Sequence, residues 1–174
     1  PFSFRRESDN LNRNLGADLT LDYKHTFSKE SDKEFSASAQ YSLNNRVSRY
    51  LADQFDINNI LNFRENGPNL SVNKELIFAA DYLHPIKKDF NFEIGAKSIL
   101  RNVTSDIFYD TLNLESNEFQ RDLRRDNFFE YIQNVGAGYA QLTFPIFKNL
   151  SGRTGVRYEH TFINGLVEDG NDFK

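Results

Sequence analysis

The chain has 174 residues, and 21 Lys and Arg against 25 Asp and Glu give a net charge of −4, which excludes the basic face of a general nucleic-acid binder. It has no Cys and three His, so disulfide frameworks, thiolate metal sites and cysteine nucleophiles are excluded and a His-rich metal centre is not expected. A mean hydropathy of −0.64, with no apolar run longer than Leu76–Ala80, excludes a transmembrane helix, while 17 Phe and 8 Tyr point to half-buried strands rather than a thick core.

The first element runs from Leu15 to Phe27. Leu15, Ala17, Leu19, Leu21, Tyr23, His25 and Phe27 occupy one parity, and Gly16, Asp18, Thr20, Asp22, Lys24 and Thr26 the other. A period of two with chemically distinct halves is a strand with two different faces. Phe35, Ala37, Ala39, Tyr41 and Leu43 alternate in the same way with Glu34, Ser36, Ser38, Gln40, Ser42 and Asn44. The polar stretch Ser28–Lys33 between the two makes them an antiparallel hairpin.

A third strand is expected from Leu70 to Ile86, and a turn over Pro85–Asp89 leads to a fourth from Phe90 toward Tyr109. A fifth spans Phe128 to Phe147. A sixth places Val156, Tyr158, His160 and Phe162 opposite Arg153, Gly155, Arg157, Glu159 and Thr161, after a turn over Lys148–Ser151. Two connections, Asp53–Asn69 and Asp110–Asp126, are expected to be long polar loops. Short turns at one end and long loops at the other match an outer-membrane β-barrel. The expected fold class is therefore all-β: an antiparallel transmembrane barrel segment of about six long strands in a meander of hairpins.

A soluble sandwich alternates too, and three features favour the membrane. Several strands run about 13 to 20 residues, where soluble strands average about five or six. The polar face mixes Ser, Thr, Asn, Gln and Gly with charges of both signs, which suits a wet lumen. Tyr23, Phe27, Tyr41, Tyr82, Phe90, Phe92, Phe144, Phe147 and Phe162 recur near strand ends, where amphipathic rings form interfacial girdles. Six strands cannot close, so residues 1–174 are expected to be one piece of a larger barrel domain. The start Pro1–Arg6 shows no signal peptide, and Gly165–Asp172 reads as the beginning of a loop, so the chain is expected to be internal to a longer protein.

The segments Leu21–Phe27 and Phe35–Ser42, then Asp81–Pro85 with Phe92–Lys97, Tyr131–Tyr139 and Gly155–Thr161, resemble in order the outer membrane protein β-barrel family of Bacteroidota, related to the TonB-dependent receptors of the SusC/RagA-like kind. The resemblance implies a large barrel with an N-terminal plug and a TonB box, neither of which lies within these residues. It also implies energised uptake of an unidentified solute, with outer-membrane lipid, the TonB complex and a surface lipoprotein as partners and no nucleic acid. The long loops would then meet the substrate or the lipoprotein.

Chemistry-bearing residues are expected on the polar faces: Asp18, Asp22, Lys24, Gln40, Glu93, Lys97, Arg101, Arg157 and Glu159 as lumen-facing groups. Arg157 with Glu159, and Glu93 with Lys97 and Arg101, line a solute path or pair to hold the wall and a plug. His25, His84 and His160 share the apolar parity and read as interfacial rather than metal-binding. Asp169-Gly170-Asn171-Asp172 lacks the ligand spacing of a calcium loop. Gly136-Ala137-Gly138 lacks the helix and Lys of a phosphate cradle, and is expected to leave lumen space or bend the sheet.

Asp18 and Asp22 lie about 13 Å apart by strand rise, beyond the roughly 5–9.5 Å of a glycosidase pair. No G-x-S-x-G is present, and the Asn69, Asn102 and Asn149 glycosylation triplets are chance matches. No enzyme activity, metal or cofactor is expected. The alternatives are an outer-membrane barrel that anchors or assembles other surface proteins, and a soluble β-sandwich binding module.

Overall fold

The computed structural model describes residues 4–27 and 32–167. Its elements are all strands: β1 (Arg5–Thr26), β2 (Glu34–Phe55), β3 (Leu61–Lys87), β4 (Phe90–Ile107), β5 (Asp110–Asn113), β6 (Glu118–Arg121), β7 (Asn127–Phe147) and β8 (Leu150–Val167). Six of them, each 18 to 27 residues long, form one antiparallel sheet in the order β1-β2-β3-β4-β7-β8. The short β5–β6 hairpin is attached where β5 pairs with β3 at Glu65 and Asn66, beyond the last β3–β4 pair at Asn69.

The strands reach much further than alternation indicated. β1 begins at Arg5 rather than Leu15, and Asp53–Asn69 is mostly ladder: β2 continues to Phe55, β3 resumes at Leu61, and only 56–60 turns. Asp110–Asp126 is likewise not an open loop, since it holds β5 and β6. The physical reason is that period two marks a difference in environment between two faces. On β1 and β2 above Leu15 and Val47, both parities carry polar groups (Asn10, Asn12 and Arg13; Ser48, Arg49 and Asp53), so a hydrogen-bonded strand leaves no pattern.

The two described hairpin turns at the other end share a design. Pro85-Ile86-Lys87-Lys88-Asp89-Phe90 and Pro145-Ile146-Phe147-Lys148-Asn149-Leu150 each shift the ladder register just after the proline. Proline has no N–H to give the ladder, so a bulge there leaves no donor unpaired. Asp89 takes the left-handed conformation at φ 61°, which Asp tolerates. The β2–β3 turn is tied instead by Asp56 Oδ1, which accepts from the N–H groups of Asn58 at 2.9 Å and Ile60 at 2.8 Å. The predicted turn Ser28–Lys33 lies mostly, and the Asp169–Asp172 motif wholly, outside the described residues.

The sheet is a single layer. No Leu, Ile, Val, Phe or Tyr among the described residues is buried. Leu19, Val156 and Ile94, all of apolar parity, are 70%, 75% and 46% exposed. A sandwich would have covered these side chains with a second sheet about 10 Å away, and the described residues contain none. The edge strands β1 and β8 make no contact with each other.

Candidate functional site: the polar face of the sheet

Register places every predicted polar candidate on one face. One row across the sheet reads Asp22, Ser38, Ala79, Lys97, Ala137, Glu159, and the next reads Lys24, Ser36, Asp81, Gly95, Tyr139, Arg157. Asp18 shares a row with Arg101, Gln40 lies in the row between that one and the row of Asp22, and Glu93 is two residues before Gly95 on β4, on the same face. The pleat alone produces this sharing, because direct cross-strand partners point the same way.

The candidates differ in their partners. Arg157 donates to Glu159 at 2.7 Å, and Lys24 pairs with Glu34 at 2.8 Å. Arg101 does not pair with Glu93. It grips Glu75 across the β3–β4 ladder and donates to Gln133 on β7 at 3.1 Å. Lys97 does not pair with Glu93 either. It stands between Ala79 and Ala137, and like Asp18, Asp22 and Gln40 makes no hydrogen bond or ion pair among the described residues. The expected Glu93–Lys97–Arg101 group is therefore not one cluster. Glu93, Lys97 and Arg101 stand four residues apart along β4, about 13 Å by rise, whereas cross-strand partners lie near 5 Å, so Arg101 takes its ladder partner Glu75 and Lys97 faces only alanines.

The unpredicted residue at the centre is Tyr139. Its hydroxyl lies 2.6 Å from Asp81 Oδ1 on β3 and 2.7 Å from Glu93 Oε1 on β4, and Gln141 Nε2 donates to Glu93 Oε2 at 3.1 Å. To reach β3 from β7 the ring crosses β4 over Gly95. A Cβ built at Gly95 would collide with both Asp81 Oδ1 and the Tyr139 ring. Missing side-chain volume at one strand thus lets a single ring bridge three. Sequence inspection missed it because a tyrosine between Gly138 and Ala140 on β7 carries no signal without the register.

A second cluster lies at the end of the sheet that carries the β2–β3 turn and β5–β6. Glu65, 2% exposed, accepts from Tyr50 and from Arg125, and Arg6 stands 4.0 Å from it. Arg125 also lies over the Tyr109 ring at 3.9 Å, so the segment after β6 is pinned to β3. Burial pushes the Glu65 carboxyl up, but the hydrogen bonds from Arg125 and Tyr50, with the charges of Arg125 and Arg6, outweigh it and hold the group below its ordinary value. Burial and the Glu65 hydrogen bond push the Tyr50 phenol up.

The opposite face is apolar. On β3 the even positions from Leu76 to Ile86 carry no charge, and 11 residues match the roughly 9–11 of a tilted bilayer crossing. Near the Lys88–Asp89 turn Tyr23, His25, Phe27, Phe35, Tyr82 and His84 form a connected ring cluster on this face. His25 stands edge-on to Phe27 at 4.6 Å, and the Tyr82 hydroxyl lies 3.0 Å from His84 Nδ1. Gly136 and Gly138 also lie on this face, beside His160 and Tyr158. They thus lie opposite the polar candidates rather than among them.

A sequence model of the outer membrane protein beta-barrel family matches residues 25–174. Comparison with curated proteins finds no match. Two solved structures of KdgM porin, one in complex with disordered oligogalacturonate, align at 12% identity over 92% of this chain and 97% of theirs with a TM-score of 0.15, too low to carry weight. With most of its length matched, the chain belongs to the outer membrane protein beta-barrel family, and its place is the bacterial outer membrane.

Proposed function

We propose that these strands are one sector of the wall of a larger transport barrel, with the polar face turned to an aqueous bore and the apolar face to lipid. The observation that carries this is the pairing of opposites within one sheet. Leu19 and Val156 stand exposed on one side, while the other side holds ion pairs and the Tyr139 bridge. Further strands must join β1 and β8, because an open ladder in hydrocarbon would leave N–H and C=O groups unpaired. By resemblance, the uptake is energised through TonB past a plug, the host belongs to the Bacteroidota, and the end bearing β5–β6 faces outward, where solute and a surface lipoprotein would meet it.

Planar-bilayer recording of the full-length protein separates the readings. A plugged transporter shows no standing conductance and opens when a denaturant loosens the plug. A permanently open pore would overturn the TonB part of the reading. A barrel silent in both conditions would overturn transport and favour an anchor. The bore itself is tested by single cysteines, since the chain has none of its own. In lipid vesicles, cysteine at Asp22 or Gln40 reacts with a water-soluble maleimide and cysteine at Leu21 or Ala39 does not.

A further inference from the structure

On the polar face near the Lys148–Asn149 turn, a groove of about 560 Å³ opens among Glu93, Tyr139, Gln141, Arg153, Gly155 and Arg157. Its floor is Gly155. A Cβ there would stand 2.7 Å from the Ala140 carbonyl oxygen, so a side chain at this position is excluded and the wall recedes. Arg153 and Arg157 flank the gap on β8, about 13 Å apart by strand rise, and both line the groove.

The charges in this groove are unevenly committed. Of the oxygens of Glu93, its one carboxylate, Oε2 accepts from Gln141 Nε2, while Oε1 lies 2.7 Å from the Tyr139 hydroxyl and shares that single proton with Asp81. Neither arginine pairs with Glu93 among the described residues. Arg157 leans to Glu159, a half-exposed pair whose own energy is small and which can yield to a ligand. Arg153 has no carboxylate partner among the described residues. Gln141 Nε2 keeps a second N–H to offer. Elsewhere on this face the cations are spread singly or matched: Lys24 with Glu34, Arg101 with Glu75, Lys97 alone between alanines.

From this juxtaposition we infer that the groove over Gly155 is a binding site for an anionic group, a carboxylate or phosphate carried by the solute, gripped between Arg153 and Arg157. Guanidinium groups present planar donor pairs that match either oxyanion, and a wall backed by lipid screens such a contact less than bulk water does. The inference rests on the polar face bounding an aqueous path.

The test uses full-length protein in detergent micelles, with citrate and inorganic phosphate as probes in isothermal titration calorimetry. Citrate or phosphate binds the parent protein, and R153Q and R157Q each weaken that binding at least tenfold, while K97Q changes it less than twofold. Both substitutions sit on an exposed strand face, and if one variant does not fold the other decides. No heat of binding to the parent protein for either probe overturns the site, as it would if an acidic polypeptide segment filled the groove. Equal weakening by K97Q and R153Q also overturns it, because the affinity would then reside in diffuse charge. A barrel that binds citrate here yet passes no solute leaves the site standing and defeats the transport reading instead.

Discussion

Ala39 and Gln40 are adjacent on β2 and point to opposite faces: Ala39 shares its row with Leu21 and Phe78, Gln40 with Thr20 and Ile77. The odd positions of β2 carry no charge from Phe35 to Val47. That span is about 40 Å of strand, or about 28 Å of depth at a tilt near 45°. Ala39 sits four residues in from Phe35, about 13 Å along the strand and about 9 Å below that end of the band. An arginine on the lipid face costs about 2–4 kcal/mol at the midplane and about 0–1 near the interface. On the other side Lys74, opposite Leu43 on this face, bounds the uncharged band two rows from Ala39, so Ala39→Arg is expected to cost about 1–2 kcal/mol, roughly a five- to thirtyfold shift in the folding equilibrium. Gln40→Arg places the same side chain beside Thr20, Ser38 and Ser42, with Ile77 on its other flank, and is expected to change stability by less than about 0.5 kcal/mol. Guanidinium unfolding of the full-length protein in lipid vesicles, followed by tyrosine fluorescence, measures both. Equal destabilisation by the two variants, or a larger effect at Gln40, would refute the assignment of faces.

Gly95→Ala drives a methyl into the Tyr139 ring and Asp81 and is expected to destabilise by about 1–3 kcal/mol in the same vesicle assay, the range for overpacking; Tyr139→Phe combined with it should recover little, since the ring remains. The Glu65 carboxyl is held below its ordinary value of 4.5, so its stabilising contribution is complete at neutral pH and is lost as pH falls through the depressed folded value. Hydrogen exchange of Asp110–Arg121 should therefore accelerate in the acid range beyond its intrinsic pH dependence, and Glu65→Gln should abolish that excess while leaving Phe90–Leu100 unchanged.

The lower half of the sheet was legible in the sequence because alternate residues there differ in chemistry, apolar on one face and polar on the other. Leu19 against Asp18, Ala39 against Gln40 and Val156 against Arg157 carry that contrast in their order alone. The family likeness followed from the same segments. The upper half was not legible: Arg5–Asn14 and Asp53–Asn69 carry polar residues on both parities, so nothing in their order separates strand from loop. The candidate site divided in the same way. Parity placed Glu93, Lys97, Arg101 and Arg157 on one face, and Arg157 does pair with Glu159 along its strand, but Glu93, Lys97 and Arg101 were read together where contacts between strands decide. Glu75 for Arg101, Glu34 for Lys24 and Asp81 for Tyr139 lie 26, 10 and 58 residues away along the chain. Alternation is local and survives in one dimension. Register is a relation between distant segments, set only when the turns and bulges at Pro85 and Pro145 lock the strands side by side, and it alone brought Tyr139 over Gly95 and Arg125 onto Glu65.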